Sequence, residues 1–244
     1  ADELDSAGRV RERYRERLAS LLVRGAAESE LAAAARRAEW APPRTLTAVL
    51  LPEGQLRAVL GVIEGRALTL PIDPATPDDE GTAVVLVPDT GGRDRERLLR
   101  QLDGRGAVVG PERPWGQCRV SFERATRAAA TLPRASRRET IDTEAHLPEL
   151  LLGSDPEALA DLRAAALAPL RSVRPASRRR LEETLAAWLL FHGRRELVAA
   201  YLFVHPQTVR YRMGQLRELY GDRLDDPDWV LRLTLALAVR PAGD

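Results

Sequence analysis

A chain of 244 residues is long enough to bury a core in each of two domains. Its hydrophobic content of 44% and charged content of 30% are typical of globular proteins and exclude a disordered or fibrous chain. The net charge of +1 excludes a uniformly basic protein that coats nucleic acid.

The basic residues are unevenly distributed. Residues 171–220 carry ten arginines against four acidic residues, whereas residues 1–170 have a net charge of −3. All 37 basic residues are arginine, and neither lysine nor asparagine occurs, which favours a high-GC bacterial genome. Because codon usage explains part of the arginine content, the asymmetry is more informative than the abundance. A basic end on a mildly acidic body is typical of a regulator whose end meets phosphate.

The sequence carries no sign of export. Its single cysteine, Cys118, excludes an internal disulfide and fits a reducing compartment. No apolar run approaches the roughly 18 residues of a membrane span, and no signal peptide opens the chain. We therefore expect a cytoplasmic protein. The chain begins at Ala1 inside a helical pattern and without Met, which suggests a fragment of a longer protein.

Residues 1–39 are predicted to form a helical segment covering 3–38, with an interruption at Gly25. Its apolar stripe is formed by Leu4, Val10, Tyr14, Leu18 and Leu21. Such a helix could pair with a second copy of itself or pack on the following domain.

Residues 40–132 are predicted to form an α+β domain. The predicted order is strand 45–51, helix 52–63, strands 67–72 and 82–87, helix 93–102 and strand 107–109. This βαββαβ order is typical of a ferredoxin-like sheet with helices on one face.

The rest of the chain is predicted to be helical. Helices are expected at 119–132, 147–152 and 156–170. The segment 171–177 combines a proline, a serine and a change of local charge, so we place a boundary there. This leaves a helical connector at 133–176 and an all-α domain at 177–244. Its first helix is expected to run from a Ser177 cap to His192 and to terminate at Gly193.

The stretch 194–220 is the most informative part of the chain. It predicts two short helices joined by a tight turn, the second starting at Pro206. One apolar stripe on this second helix is formed by Val209, Met213, Leu216 and Tyr220. Its opposite face carries amide and hydroxyl groups, which can read base edges, with flanking arginines, which can hold phosphates. The pattern favours a helix-turn-helix that enters the major groove, although an ordinary packed helix with a basic rim fits the same spacing.

Other residue clusters give weak signals. His146, His192 and His205 are far apart, and none has a metal-ligand spacing. The Gly91-Gly92 pair indicates a plain helix start more than an anion site. The acidic residues at 225–228 fit a helix N-terminal cap better than a calcium loop. We therefore expect no catalytic residue, no metal and no cofactor.

The C-terminal run resembles the helix-turn-helix domain of PucR/CdaR-type bacterial transcription regulators. The resemblance covers about 70 residues and centres on a VH-x-x-TVRYR signature, which occupies 204–212. The family commonly has Arg-Asn where this chain has Pro206-Gln207. Since Gln and Asn both read adenine, the departure affects the expected operator sequence more than DNA binding itself.

Residues 40–132 resemble the middle domain of the same family, which is similar to a GGDEF nucleotide-cyclase fold that has lost its active site. In a working cyclase the signature lies on the hairpin between the second and third strands. Here that hairpin, 71–81, lacks the glycine pair and the acidic metal ligand. The resemblance implies a domain that dimerises or senses a small molecule.

We therefore expect a cytoplasmic, DNA-binding transcriptional regulator that forms a homodimer, binds double-stranded DNA, responds to a small-molecule effector and is not an enzyme. Base edges would be read by Gln207, Thr208, Tyr211 and Gln215. Phosphates would be held by His205, Arg210, Arg212 and Arg217. The alternatives are a nucleotide-binding or cyclase-like enzyme in 40–132 and a protein-interaction module.

Overall fold

The computed structural model describes residues 2–63, 65–72, 81–134, 136 and 138–238. The chain divides into two compact units, Ala1–Leu150 and Leu151–Asp244. This division lies upstream of the boundary expected at 171–177, because the helix that begins at Pro156 packs into the core of the second unit. Residues 73–80 of the predicted hairpin lie outside the described residues.

Two helices open the first unit, α1 (Asp2–Arg24) and α2 (Glu28–Arg37). The predicted helical segment is broken at Gly25, whose φ of +71° lies in the left-handed region that glycine adopts without steric cost. On α1, Leu18 and Leu22 are buried, whereas Val10 and Tyr14 are exposed. Among the α1 side chains that the structure describes, those of the C-terminal half contribute to the core of this unit.

One sheet forms the centre of the first unit. Its strands are β1 (Thr45–Pro52), β2 (Leu68–Ile72), β3 (Thr82–Pro88), β4 (Val108–Val109), β5 (Arg113–Pro114) and β6 (Ile141–Asp142). They are ordered β2-β3-β1-β4-β6, and β5 pairs with β1. The pairs β1–β3, β1–β4 and β2–β3 are antiparallel, and β4–β6 is parallel. The first unit is thus a mixed α/β domain, as the α+β prediction requires.

Helices cover both faces of this sheet. One face packs against α3 (Leu56–Leu60) and α4 (Arg93–Leu102), whose Val59 and Leu98 meet Val49 of β1. The other face packs against α1, α2 and α5 (Cys118–Thr131). The two helices predicted within the βαββαβ order, α3 and α4, share one face as predicted, and helices outside that order cover the other face. The physical reason lies in the strands, whose nearly continuous apolar runs leave both faces in need of cover.

A buried arginine of the first unit is held by groups of the same unit. Arg95 of α4 is buried, and its guanidinium donates to the carbonyl of Gly110 at 3.0 Å and to the carboxylate of Asp142. A second acid, Glu144, lies 3.3 Å from the same guanidinium. Burial also raises the pKa of the Cys118 thiol to about 12, so this cysteine is an inert core residue.

The second unit is helical. Helix α6 (Leu147–Leu152) crosses the division, and the helices that follow are α7 (Pro156–Ala166), α8 (Pro175–Leu190), α9 (Arg195–Tyr201), α10 (Pro206–Tyr220) and α11 (Pro227–Ala238). Their apolar faces meet in one core that includes Leu185, Val198 and Leu233. The helix predicted at 156–170 ends at Ala166 and continues as a 3-10 turn, Ala168–Ser172.

The prediction of a Ser177 cap is wrong. Helix α8 begins two residues earlier, because Pro175 takes the first helical position, where its fixed φ suits a helix start. The helix also ends at Leu190 instead of His192. His192 adopts a φ of +51°, and the backbone of Gly193 donates to the carbonyl of Trp188 at 2.9 Å. A side chain on Gly193 would meet the Trp188 ring at 3.1 Å, so this position suits glycine.

Candidate nucleic-acid interface

Helices α9 and α10 form the two-helix element that the sequence predicts. Four residues, 202–205, connect them. All four residues of the predicted stripe on α10 are buried, with at most 4% of their surface exposed: Val209, Met213, Leu216 and Tyr220. This burial confirms the predicted orientation, because it turns the opposite face of α10 outward.

The outward face of α10 carries the predicted base-reading residues. Gln207 and Tyr211 are exposed, and the Tyr211 ring has 67% of its surface open. Thr208 and Gln215 are half-buried, and the Gln215 amide lies 3.3 Å from the Tyr211 hydroxyl, which accepts its hydrogen bond. These side chains border a shallow depression together with Arg210, Gly214 and Glu218. Gly214 adds no side chain there, so the face stays open at its middle.

His205 caps the start of α10. Its Nδ1 accepts a hydrogen bond from the backbone N–H of Gln207 at 3.2 Å. This satisfies one of the free N–H groups at the helix end. When Nδ1 accepts, the neutral ring carries its proton on Nε2, which leaves an exposed donor beside the helix start. The residue therefore positions the helix and offers a donor to a phosphate.

The three arginines of α10 have different surroundings. Arg210 is exposed, and no hydrogen bond or ion pair ties its side chain to the described part of the protein. Arg217 is exposed as well, with its guanidinium carbon 5.8 Å from the centre of the Trp188 ring. Arg212 is half-buried and donates to the hydroxyl of Thr184 on α8 at 3.2 Å. Arg212 thus also links α10 to α8.

Two residues that hold α10 in place escaped the sequence analysis. Thr184 is fully buried in α8, donates to the carbonyl of Arg180 and accepts from Arg212. Trp188 lies one turn later on the same helix and stacks under Arg217. The sequence of α8 alone does not show that these residues hold α10. Their partners, Arg212 for Thr184 and Arg217 for Trp188, lie 28 and 29 residues further along the chain.

The far end of α10 is anchored by Tyr220. Its hydroxyl donates to the carbonyl of Ala166 at the end of α7, at 3.0 Å, inside the core. Burial raises the pKa of Tyr220, and Glu182 raises it further, while Arg223 opposes them. Beyond α10, the Asp226 carboxylate accepts from the backbone of Asp228 at 2.8 Å, which confirms the predicted cap before α11.

The turn before α10 exposes an aromatic ring that the sequence analysis did not single out. Phe203 has 95% of its surface exposed and a φ of +54°. The neighbours Leu202 and Val204 are apolar as well, so the sequence gives no signal, and only the backbone angle and the exposure show that nothing in this unit holds the ring.

Outside α10, the described residues support neither a metal site nor an anion site at the glycine pair. These residues include no group of three or more His, Cys, Asp or Glu placed to hold a metal ion. The Gly91-Gly92 loop faces the Glu112 carboxylate, which lies 2.8 Å from the position of an added side chain on Gly91. An acid at this place disfavours an anion. No described helix is both long and apolar enough to cross a membrane.

Comparison with known proteins identifies the second unit. Residues 181–239 match the model of the PucR C-terminal helix-turn-helix domain. The purine catabolism regulatory protein of Bacillus subtilis is 40% identical over 60 residues, which are 25% of this chain and 11% of that protein. This short match is as long as one helix-turn-helix domain.

Two longer matches reach into the first unit. An uncharacterized protein from the pkwA 5′ region of Thermomonospora curvata is 31% identical over 171 residues, which cover 67% of this chain and 92% of that protein. An uncharacterized protein of Mycobacterium tuberculosis strain H37Rv is 31% identical over 170 residues, 65% of this chain and 39% of that protein. The match thus spans less than half of the mycobacterial relative.

Among solved structures, a regulator of polyketide synthase expression from Bifidobacterium adolescentis aligns with 92% of this chain and 91% of its own, at 19% identity and a TM-score of 0.40. The domain match and the relatives agree with the geometry of α9 and α10. Residues 181–239 of the chain thus form a helix-turn-helix domain of the PucR C-terminal type.

Proposed function

We propose that this chain is a sequence-specific DNA-binding regulator of transcription in which α10 enters the major groove. One observation carries the proposal: α10 buries a complete apolar stripe and turns amide, hydroxyl and guanidinium groups outward. An ordinary packed helix with a solvated surface would carry Glu or Asp on that face, whereas Glu218 is the only acid in α10. The match of residues 181–239 to the PucR C-terminal helix-turn-helix domain supports the same function.

The outward residues divide by chemistry. Gln207, Thr208, Tyr211 and Gln215 can donate to and accept from base edges, and a Gln side chain can pair with adenine in a bidentate way. His205, Arg210 and Arg217 would hold phosphates. Arg212 gives one N–H to Thr184 and keeps four others, so it can bind a phosphate and position α10 at once.

We further propose that the chain acts as a homodimer in the bacterial cytoplasm. Two copies of α10 would meet half-sites about 34–36 Å apart, one turn of DNA. The first unit would serve the dimer contact or bind a small-molecule effector. The strand order β2-β3-β1-β4, all antiparallel, supports its assignment to a ferredoxin-like, GGDEF-like fold without cyclase activity. Cyclic dinucleotide formed from GTP and Mg²⁺ would contradict that assignment.

Selection and salt titration test DNA binding. A duplex is first selected by the wild-type chain from a random-sequence pool, and its affinity is then measured against salt. Arg210→Ala should weaken binding to every duplex and reduce the slope of log K against log salt by about one unit. Gln207→Ala should relax discrimination at one base pair by about 1–3 kcal/mol.

Arg100→Ala is the matched control. It removes the same charge from an exposed side chain on α4, which pairs with Glu96 at 4.0 Å. We expect its affinity and salt slope to equal those of the wild type. If Arg210→Ala and Gln207→Ala bind as the control does, α10 is not the DNA-reading helix.

A further inference from the structure

Phe203 lies in a position that suits glycine. Helix α9 ends in a Schellman motif, in which the backbone of Val204 donates to Ala199 at 3.0 Å and that of Phe203 donates to Ala200 at 3.3 Å. The residue between the cap and Val204 must adopt a left-handed conformation, and Phe203 does so with a φ of +54°. For a bulky side chain this conformation is a true outlier, whereas glycine adopts it freely.

Among the described helices, α2 and α8 also end in this motif with a residue other than glycine, and each has a reason that Phe203 lacks. At the end of α2, Glu39 has a φ of +48° and its carboxylate forms an ion pair with Arg11 at 2.9 Å. At the end of α8 the residue is His192, a type enriched in this conformation. Phe203 gains no packing in return, because 95% of its surface is open.

The location of the ring indicates what it contacts. Phe203 is two residues before His205, the cap of α10, and four residues before Gln207. Four residues span at most about 14 Å, so the ring lies beside the end of α10 that leads into the groove. The phosphate-binding candidates His205 and Arg210 flank the same end. An apolar ring at this place matches the C5-methyl group of thymine, which is the apolar feature of the major groove.

We propose that Phe203 is a specificity-determining residue that packs on a thymine methyl group at the edge of each half-site. This inference rests on the proposed function of α10. The left-handed turn aims the ring away from the core of the second unit, and DNA supplies the packing that the unit does not. The backbone strain at Phe203 therefore serves DNA recognition, because the stability of the fold alone would favour glycine at this position.

Phe203→Gly separates recognition from stability. Since glycine is preferred at this backbone angle, the thermal midpoint should stay the same or rise. Affinity for the selected duplex should fall about tenfold or more, as expected when a phenyl ring loses a buried contact. His192→Gly makes the same backbone change at the end of α8 and should leave DNA affinity unchanged.

Deoxyuridine substitution identifies the partner atom. Replacing the contacted thymine by deoxyuridine removes one methyl group, and the wild type should lose about fourfold in affinity, while Phe203→Gly should bind both duplexes equally. The inference is overturned if Phe203→Gly binds the thymine duplex as tightly as the wild type does. It is also overturned if Phe203→Gly weakens binding to the thymine and deoxyuridine duplexes by the same factor relative to the wild type. If Arg210→Ala weakens binding and Phe203→Gly does not, only the inference fails; if neither does, the proposed function fails.

Discussion

Two arginines near the start of a helix show how differently the two units use the same residue type. Arg95 of α4 is buried in the first unit, with the Gly110 carbonyl and the Asp142 carboxylate as partners. Arg210 of α10 is exposed in the second unit and has no such partner among the described residues. Because all basic residues of the chain are arginine, the number of arginines in a region indicates little about their role.

The contrast extends beyond these two side chains. In the first unit, polar groups such as Thr47 and Ser121 are buried and bonded to other residues of the unit, Ser121 of α5 accepting from the backbone of Ala48 at 2.9 Å. In the second unit, the polar and aromatic groups at the start of α10 face outward. These groups of the first unit are paired inside that unit, whereas the start of α10 presents its polar and aromatic groups to solvent. Each prediction below tests this difference.

The largest effect is expected in the core that supports α10. Leu185 is fully buried in α8, so Leu185→Ala should lower the free energy of unfolding of the second unit by about 2–5 kcal/mol. Hydrogen exchange on the whole chain should show lost protection in α8 to α11 and unchanged protection in β1 and β3. Equal loss in the strands would show that the two cores are not separate.

Arg95→Ala should cause the next largest loss of stability. It leaves the Asp142 carboxylate and the Gly110 carbonyl without their donor, and the partial exposure of Asp142 reduces the penalty to about 2–3 kcal/mol. Arg210→Ala, by contrast, should change stability by no more than about 0.5 kcal/mol. Urea denaturation measures the free energy of unfolding of both variants. If the two variants lose similar stability, the distinction between a structural arginine and a DNA-binding one is removed.

A smaller loss, about 1 kcal/mol, is expected for Tyr220→Phe, which removes the hydrogen bond to the Ala166 carbonyl but keeps the ring. The wild-type phenol should also resist ionisation, because burial raises its pKa. An ultraviolet titration that detects four tyrosines ionising together near pH 10 would contradict the buried environment.

The smallest effect at neutral pH is expected for the Cys118 thiol. Burial raises its pKa from 9.0 to about 12, so the folded state favours the neutral thiol. The thiol therefore contributes stability below about pH 9, and this contribution is lost as the pH rises toward 12. At pH 8 a thiol reagent should label the folded chain far more slowly than the urea-unfolded chain. Equal labelling rates would place Cys118 on the surface.

Periodicity predicted the parts of the fold that depend on local pattern. The spacing of Val209, Met213, Leu216 and Tyr220 predicted which face of α10 is buried, and the apolar runs predicted β1, β2 and β3. Strands β5 and β6 were missed, because each combines a polar or proline residue with one neighbour, unlike the apolar β4, and is held by distant partners. The cover on the second sheet face was predicted only as the alternative that the N-terminal helix packs on the following domain.

The site was predicted as a set of residue types and not as an arrangement. Nothing in the local sequence shows that His205 accepts from Gln207 or that Arg212 reaches Thr184 across 28 positions. Phe203 was missed because sequence rules expect glycine in a left-handed turn, and only the structure reveals a bulky residue there. The predicted DNA contacts remain predictions until the binding experiments are done.

The hydrogen bond between Tyr220 and Ala166 gives α10 a mechanical connection to the segment that follows the first unit along the chain. The two residues are 54 positions apart, yet one buried bond of 3.0 Å joins them. Such a bond breaks when it is stretched by more than a fraction of its length. A displacement of the end of α7 must therefore either move the C-terminal end of α10 with it or break this hydrogen bond. Helix α7 can thus transmit a displacement to α10 through the hydrogen bond of Tyr220.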